Sequence, residues 1–386
     1  MTTNHGRRRF LAAAGATGLT TIAGCTFGYT GGGEQPSRDA EASADDPEPE
    51  PVPDHELTDH PWTAPPTVVE LGDGDESIIR TVPCRHAIVE ERAQGGPITL
   101  PEVWAWQADD HEPSVPGPVY RVKEGSEFQI TLENTKDVRP HTFHLHALEK
   151  SWMDDGAPAS TGERVDPDES HTYTFNANVS GLHHYHCHYQ TQNHLDLGMY
   201  GLVYVEPAEY DAPDKEFFLT LKDWDSELSR DIAGASDADY SHRTRNPDRF
   251  TINGRSGPTS FHPEVGSPLI VEAGDTVRVH LANNGYEAHP IHVHNHRYRL
   301  VEKDGSQIPE VAQFDQDVEN IAPAERKTIE FEANAEPGIY LLHCHKVHHV
   351  MNDDRYPGGM VVPIVYESAM DTPQFENAMA MAGFEG

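Results

Sequence analysis

"HYHCHYQTQNHLDLGMYG", His184–Gly201, sets one of only four cysteines between two histidines, then adds a histidine and a methionine downstream. The flanks "ESHTYTFNANVSG" and "YGLVYVEP" alternate Val, Tyr, Thr and Phe with polar residues, which predicts two strands joined by a loop. Neighbouring side chains of a strand point to opposite faces. His186 and His188 therefore share one face, and Cys187 takes the other. One tripeptide serves two places at once.

A thiolate, two imidazoles and a weak axial thioether make a blue-copper donor set, suited to a soft metal that cycles between two charges. Cys187, His194 and Met199 supply three of the four. A buried cysteine among surface histidines is the alternative, and Cys, His and Met in one short run speak against it. Upstream, "RPHTFHLHALE" (139–149) carries His144 and His146 two apart, on one face, and His141 three before His144, on the opposite face of a regular strand. That parity lets His141 complete the cysteine's site, while His144 and His146 join His186 and His188.

The grammar repeats. "EAHPIHVHNHRY" gives His289, His292 and His294 with the same offsets, and "GIYLLHCHKVHHVMNDDRYPGGM" gives His343, Cys344 and His345, then His348, His349, Met351 and Met360. The two copies stand about 150 residues apart, a usual domain size.

On the motifs "HTFHLH", "HHYHCHYQTQNHLDLGM", "HPIHVHNH" and "HCHKVHHVMNDDRYPGGM", with the strand pairs "SVPGPVYRVKEGSEFQITLEN" and "PLIVEAGDTVRVHLANNG" before them, the chain resembles the two-domain multicopper oxidases, a laccase-like group of the cupredoxin superfamily. The resemblance implies an all-β fold of two Greek-key cupredoxin-like β-sandwich domains, at 64–207 and 213–366. It implies copper of types 1, 2 and 3: type 1 copper takes electrons singly from a reducing substrate, phenolic or similar, and passes them along the Cys–His link to a three-copper cluster that reduces O2 to water. Carried onto this chain, the cluster ligands are His144, His146, His186, His188, His292, His294, His343 and His345. His144 and His292 hold the type 2 ion and the other six the type 3 pair. The type 1 ligands are His141, Cys187, His194 and Met199 in the first domain, and His289, Cys344, His349 and Met360 in the second. The loop from His349 onward is longer than the family's, which leaves Met351 as competitor to Met360. Met360 is preferred because "GGM" before "VVPIVYE" copies "LGM" before "YGLVYVE". The group's shared cluster between successive chains implies a homotrimer.

Two other functions share parts of this pattern. A copper-containing nitrite reductase needs one type 1 site and one copper held by three histidines, and does not require HCH in both domains. A non-catalytic copper or electron-transfer protein leaves eight paired histidines unexplained. The other histidines, His183, His184, His296 and His348 beside the motifs, read as solvent-facing or supporting residues, and Cys84 as a buried free thiol.

The first residues, "GRRRFLAAAGATGLTTIAGC", resemble a twin-arginine export signal ending in a lipobox with Cys25 as the lipidated residue. Its apolar stretch is too short to span a bilayer. Residues 26–63, rich in Gly, Pro, Ser and acids, predict a disordered tether, and the expected location is the outer face of the cell membrane, anchored or secreted. The tail 367–386 carries no assignment. A net charge of −36, with 64 acidic residues against 28 basic ones and eight lysines, excludes nucleic acid as a partner and points to a salt-loving source, where repulsion is screened.

Overall fold

The computed structural model describes residues 58–59, 66–234 and 240–384. The export signal and almost all of the tether lie outside the described residues. Among the described residues, no helix is long and apolar enough to cross a membrane.

Alternating apolar residues build four sheets, two in each half. In the first half, Glu76–Val89 pairs in parallel with Glu127–Glu133, which pairs antiparallel with Ser170–Asn176. The facing sheet runs Val68–Leu71, Val119–Lys123, Tyr200–Glu206, Gly181–His186, His144–Leu145. Ile79, Phe128, Ile130 and Tyr173 from one sheet meet Val122, Tyr185 and Val203 from the other in a single core. The second half repeats the plan. Lys215–Trp224, Thr276–Asn283 and Arg326–Glu332 face Val361–Tyr366, Ile339–Cys344 and His289–Val293 across a core of Leu219, Val279, Ile329, Ile291, Leu342 and Val362. These are the two expected β-sandwiches.

The halves share a face. Leu182, Leu202 and Tyr204 turn away from the first core and pack on Phe218 and Ala282 of the second half. Polar ties close the seam: Arg121 to Glu216 at 2.6 Å, and the buried Glu302 accepting from the Leu182 N–H at 2.8 Å. The strand that leads into Cys187 is thus covered on both sides, which holds its side chains in one register.

Three segments depart from a clean division. Thr58–Asp59, within the stretch read as tether, lies parallel to Cys84–Arg85. Helix Ser226–Gly234 belongs to the second half by sequence, yet Leu228 and Ile232 enter the first core. The tail forms helix Pro373–Met381, capped by the Thr372 hydroxyl accepting from the Phe375 N–H, with Ala378 and Met379 buried against Phe261 and Val350. Cys84 is a buried free thiol, and burial raises its pKa to about 12.

Candidate metal centres

At the end of strand Gly181–His186, Cys187 turns into the first core, where His141 and His194 meet it. His194 Nδ1 lies 3.0 Å from Cys187 Sγ, His141 Nδ1 lies 4.0 Å from it, and the two nitrogens are 3.3 Å apart. In the second half, His289 Nδ1 and His349 Nδ1 lie 3.8 and 3.5 Å from Cys344 Sγ and 3.2 Å from each other. All six residues are buried. The methionines are tied in alike. Cys187 N–H donates to the Met199 carbonyl and Met199 N–H to that of His194, at 3.2 and 3.0 Å. Cys344 N–H donates to Met360 and Met360 N–H to His349, at 3.1 and 2.7 Å. Met199 and Met360 are fully buried in the cores that hold the cysteines, whereas Met351 is half-buried outside that pattern.

Burial pushes the Cys187 thiol up to about 12 and the Cys344 thiol up to about 11. Burial also lowers His349 to about 3 and His194 well below the usual imidazole range. Each site therefore sets a neutral thiol against one neutral imidazole, His194 in the first half and His349 in the second. A soft cation that displaces the thiol proton fits this donor set, and copper is such a cation.

The other histidines gather on the opposite face, as period two requires. His146 Nε2 and His186 Nε2 are 3.1 Å apart, and the His144 ring lies 5.2 Å from both of theirs and 5.0 Å from that of His188. In the second half His294 Nε2 and His343 Nε2 are 3.0 Å apart, with His292 at 4.9 Å from the His294 ring and 5.6 Å from that of His345. Backbone carbonyls fix four tautomers. His144 Nδ1 donates to Asp155, His186 to Cys187, His292 to Asp317 and His343 to Cys344, at 2.6 to 2.9 Å. A carbonyl only accepts, so each Nδ1 carries the proton, and in the neutral ring Nε2 is the nitrogen with the lone pair. Burial lowers His186 to about 4, so its Nε2 aims a bare lone pair at a neighbouring imidazole. That is a metal-ready geometry. Among the described residues, every ring contact of these eight histidines to another of them stays within its own half.

The sequence reading missed the carboxylates behind two ligands. Asp137 Oδ2 sits 3.3 Å from His141 Nε2, and Asp223 Oδ1 sits 3.2 Å from His289 Nε2. Burial alone would raise both carboxyls, yet His141 and Arg139 hold Asp137, and His289 and Lys222 hold Asp223, at about 2. Each orients its ring so that Nδ1 faces the sulfur. Of the histidines left aside, His183, His184 and His296 are buried and only His348 is exposed. His296 bonds the Tyr366 hydroxyl at 2.8 Å, and His184 rests 5.7 Å from the His146 ring with neither nitrogen bonded.

Access differs between the two thiol sites. A strap crosses the loop that carries His194: Asn193 Nδ2 donates to the Tyr240 hydroxyl, His242 Nε2 meets Asn193 Oδ1 at 2.8 Å, and Arg245 pairs with Asp196. The His349 loop lies open. Val347 and Tyr356 are 67% and 66% exposed, and a cleft lined by Gln94, Ile98, Asp353, Arg355, Tyr356 and Pro357 adjoins it.

The duplicated sandwiches and their donor sets define a two-domain protein of the cupredoxin superfamily. Two family models, both described as multicopper oxidase, match residues 106–210 and 233–362, together more than half of the chain. The chain belongs to the multicopper oxidase family, whose cofactors are type 1, type 2 and type 3 copper. A copper-containing nitrite reductase from Neisseria meningitidis is 28% identical over 256 residues, 64% of this chain and 61% of that protein. The chain thus spans about three fifths of that relative's length. An L-ascorbate oxidase from Brassica rapa is 29% identical over 234 residues, 53% of this chain and 40% of that one. The solved structure of a blue copper oxidase from Nitrosomonas europaea superposes with a TM-score of 0.65 at 26% identity, covering 78% of this chain and 89% of that chain.

Proposed function

We propose that this chain is a laccase-like oxidase that takes electrons singly from a small reducing substrate, phenolic or similar, and delivers four electrons and four protons to O2, giving two waters. Copper, when bound, supplies the one-electron storage that matches single-electron donors to a four-electron acceptor. The observation that carries this reading is the doubled HCH tripeptide. His186 and His188 flank Cys187, and His343 and His345 flank Cys344, so each thiol site is one residue from an imidazole set.

In this reading His141, Cys187, His194 and Met199 hold one type 1 ion, and His289, Cys344, His349 and Met360 hold another. The matching backbone bonds of Met199 and Met360 favour Met360 over Met351. His144 and His292 hold the type 2 ion; His146, His186, His188, His294, His343 and His345 hold the type 3 pair. Asp137 and Asp223 orient the type 1 imidazoles. The open cleft makes the Cys344 site the one that receives electrons from substrate.

Each half carries only four of the eight imidazoles, and the sets lie apart. We infer that the cluster forms between successive chains in a homotrimer. Exposed apolar residues beside the sets support this: Trp152 at 67% exposure near Asp155, and Phe314 at 67% near Asp317. Light scattering in high salt, paired with copper analysis, is expected to give a trimer with about five copper ions per chain, the sum of two thiolate sites and one shared cluster. A monomer carrying the full complement would sink the between-chain cluster. A wild-type enzyme that reduces nitrite and consumes no oxygen would instead establish the nitrite reductase reading, which the Neisseria relative favours.

Export by the twin-arginine route, with a lipid on Cys25, is proposed from the sequence of the first 25 residues. Arg7→Lys with Arg8→Lys is expected to strand the protein in the cytoplasm. Cys25→Ser is expected to release active enzyme from the membrane fraction, and membrane retention of that variant would overturn the lipid assignment.

A further inference from the structure

The two thiol sites match in nearly every contact. Each sulfur faces two Nδ1 atoms, each first histidine is backed by a carboxylate, and each methionine is held by the same pair of backbone bonds. The backbone two residues on, at Tyr189 and at Lys346, approaches each sulfur alike. Two positions break the match: His349 Nε2 lies 3.4 Å from Glu287 Oε2, and the second difference is at the sulfur itself. The residue after the first histidine is Thr142 in "HTFHLH" and Pro290 in "HPIHVH". The Thr142 N–H donates to Cys187 Sγ at 3.3 Å. Proline has no N–H, so Pro290 offers Cys344 nothing there.

A hydrogen bond to a thiolate stabilises charge on the sulfur and weakens its donation to the metal. Adding one electron to a type 1 site lowers the positive charge that faces the sulfur. The poorer donor therefore favours the reduced state. Enclosure acts in the same direction, since a low-dielectric site favours the state of lower charge. The strap encloses the Cys187 site, while the Cys344 site lies beside an open cleft. Neighbouring charges are alike at both, one cation and two carboxylates each: Lys346 with Glu287 and Asp223 near Cys344, and Arg139 with Asp137 and Glu102 near Cys187.

We propose that Thr142 and Pro290 set the two type 1 sites at different reduction potentials, with the Cys187 site the higher. This rests on the ligand assignment above. The lower site is then the open one, which accepts electrons from substrate, and the higher site is a closed reservoir that feeds the cluster from the other half.

Spectroelectrochemistry of the copper-loaded full chain tests this without turnover. The wild type is expected to bleach its blue absorption in two one-electron waves. The higher wave is absent from Cys187→Ser. Thr142→Pro is expected to shift the higher wave down towards the other. Pro290→Thr, which restores a donor at the second site, is expected to shift the lower wave up and leave the first in place. Thr142→Val keeps the N–H at 3.3 Å, loses the hydroxyl that lies 4.0 Å from the sulfur and accepts from the His188 N–H at 2.9 Å, and is expected to shift the higher wave less than Thr142→Pro does. Coincident waves in the wild type would overturn the proposal, as would an unmoved wave in Pro290→Thr. Absence of any blue absorption would overturn the ligand assignment itself, a failure distinct from two blue sites of equal potential.

Discussion

Cys344→Ser is expected to lower oxygen uptake with a phenolic donor by on the order of 100-fold or more, the scale on which disturbed metal surroundings act. Cys187→Ser is expected to retain activity within a few-fold. Both variants lose about half of the blue absorption, because a hydroxyl does not replace a thiolate as soft ligand. The asymmetry follows from access. In the proposed reading a small donor gives its electrons to the Cys344 site, whose loop adjoins the cleft beside Tyr356, whereas Tyr240, His242 and Arg245 cover the loop of His194. Both cysteines are core residues of similar burial, so loss of packing alone would harm the variants equally. An oxygen electrode and an absorption spectrum on each variant decide it. Equal activity loss in the two would refute the unequal roles.

His292→Ala is expected to stop oxygen reduction, by on the order of a thousandfold or more, while both blue bands remain. His292 occupies the type 2 position in the proposed cluster and no position in a thiol site. Its ring is partly exposed, and its one backbone partner is the Asp317 carbonyl. Its strand keeps its pairing with Val318–Ile321 and Ile339–Cys344 after truncation, so the fold survives. Stopped-flow absorption is expected to show blue sites that reduce normally and do not reoxidise in air. Full oxygen consumption by this variant would falsify the cluster assignment.

The donor sets were legible because ligand chemistry restricts residue type and strand geometry restricts spacing. The offset of three from His141 to His144 and of two to His146 was enough to send one ring to the core and two to the far face. Other features left no such mark. Asp223 stands 66 residues from the His289 that it orients, a separation with no periodicity to read. The strap at Tyr240–Arg245 is polar and irregular, and its role exists only through contacts with Asn193 and Asp196. Thr58–Asp59 forms a strand of only two residues beside Cys84–Arg85, so a composition typical of tethers concealed it. The short Ala and Met run of helix Pro373–Met381 becomes amphipathic only against Phe261 and Val350.

A cluster shared between chains, as proposed, would couple metal to mass action. If His144, His146, His186 and His188 of one chain must meet His292, His294, His343 and His345 of another, copper and the neighbouring subunit are ligands of the same site. Each then strengthens binding of the other by an equal factor. Dilution strips cluster copper from an intact chain, and a chelator loosens an assembly whose protein contacts it never touches. In that reading the thiol sites are complete within one chain and are expected to stay full on dilution, so activity is expected to fade before colour.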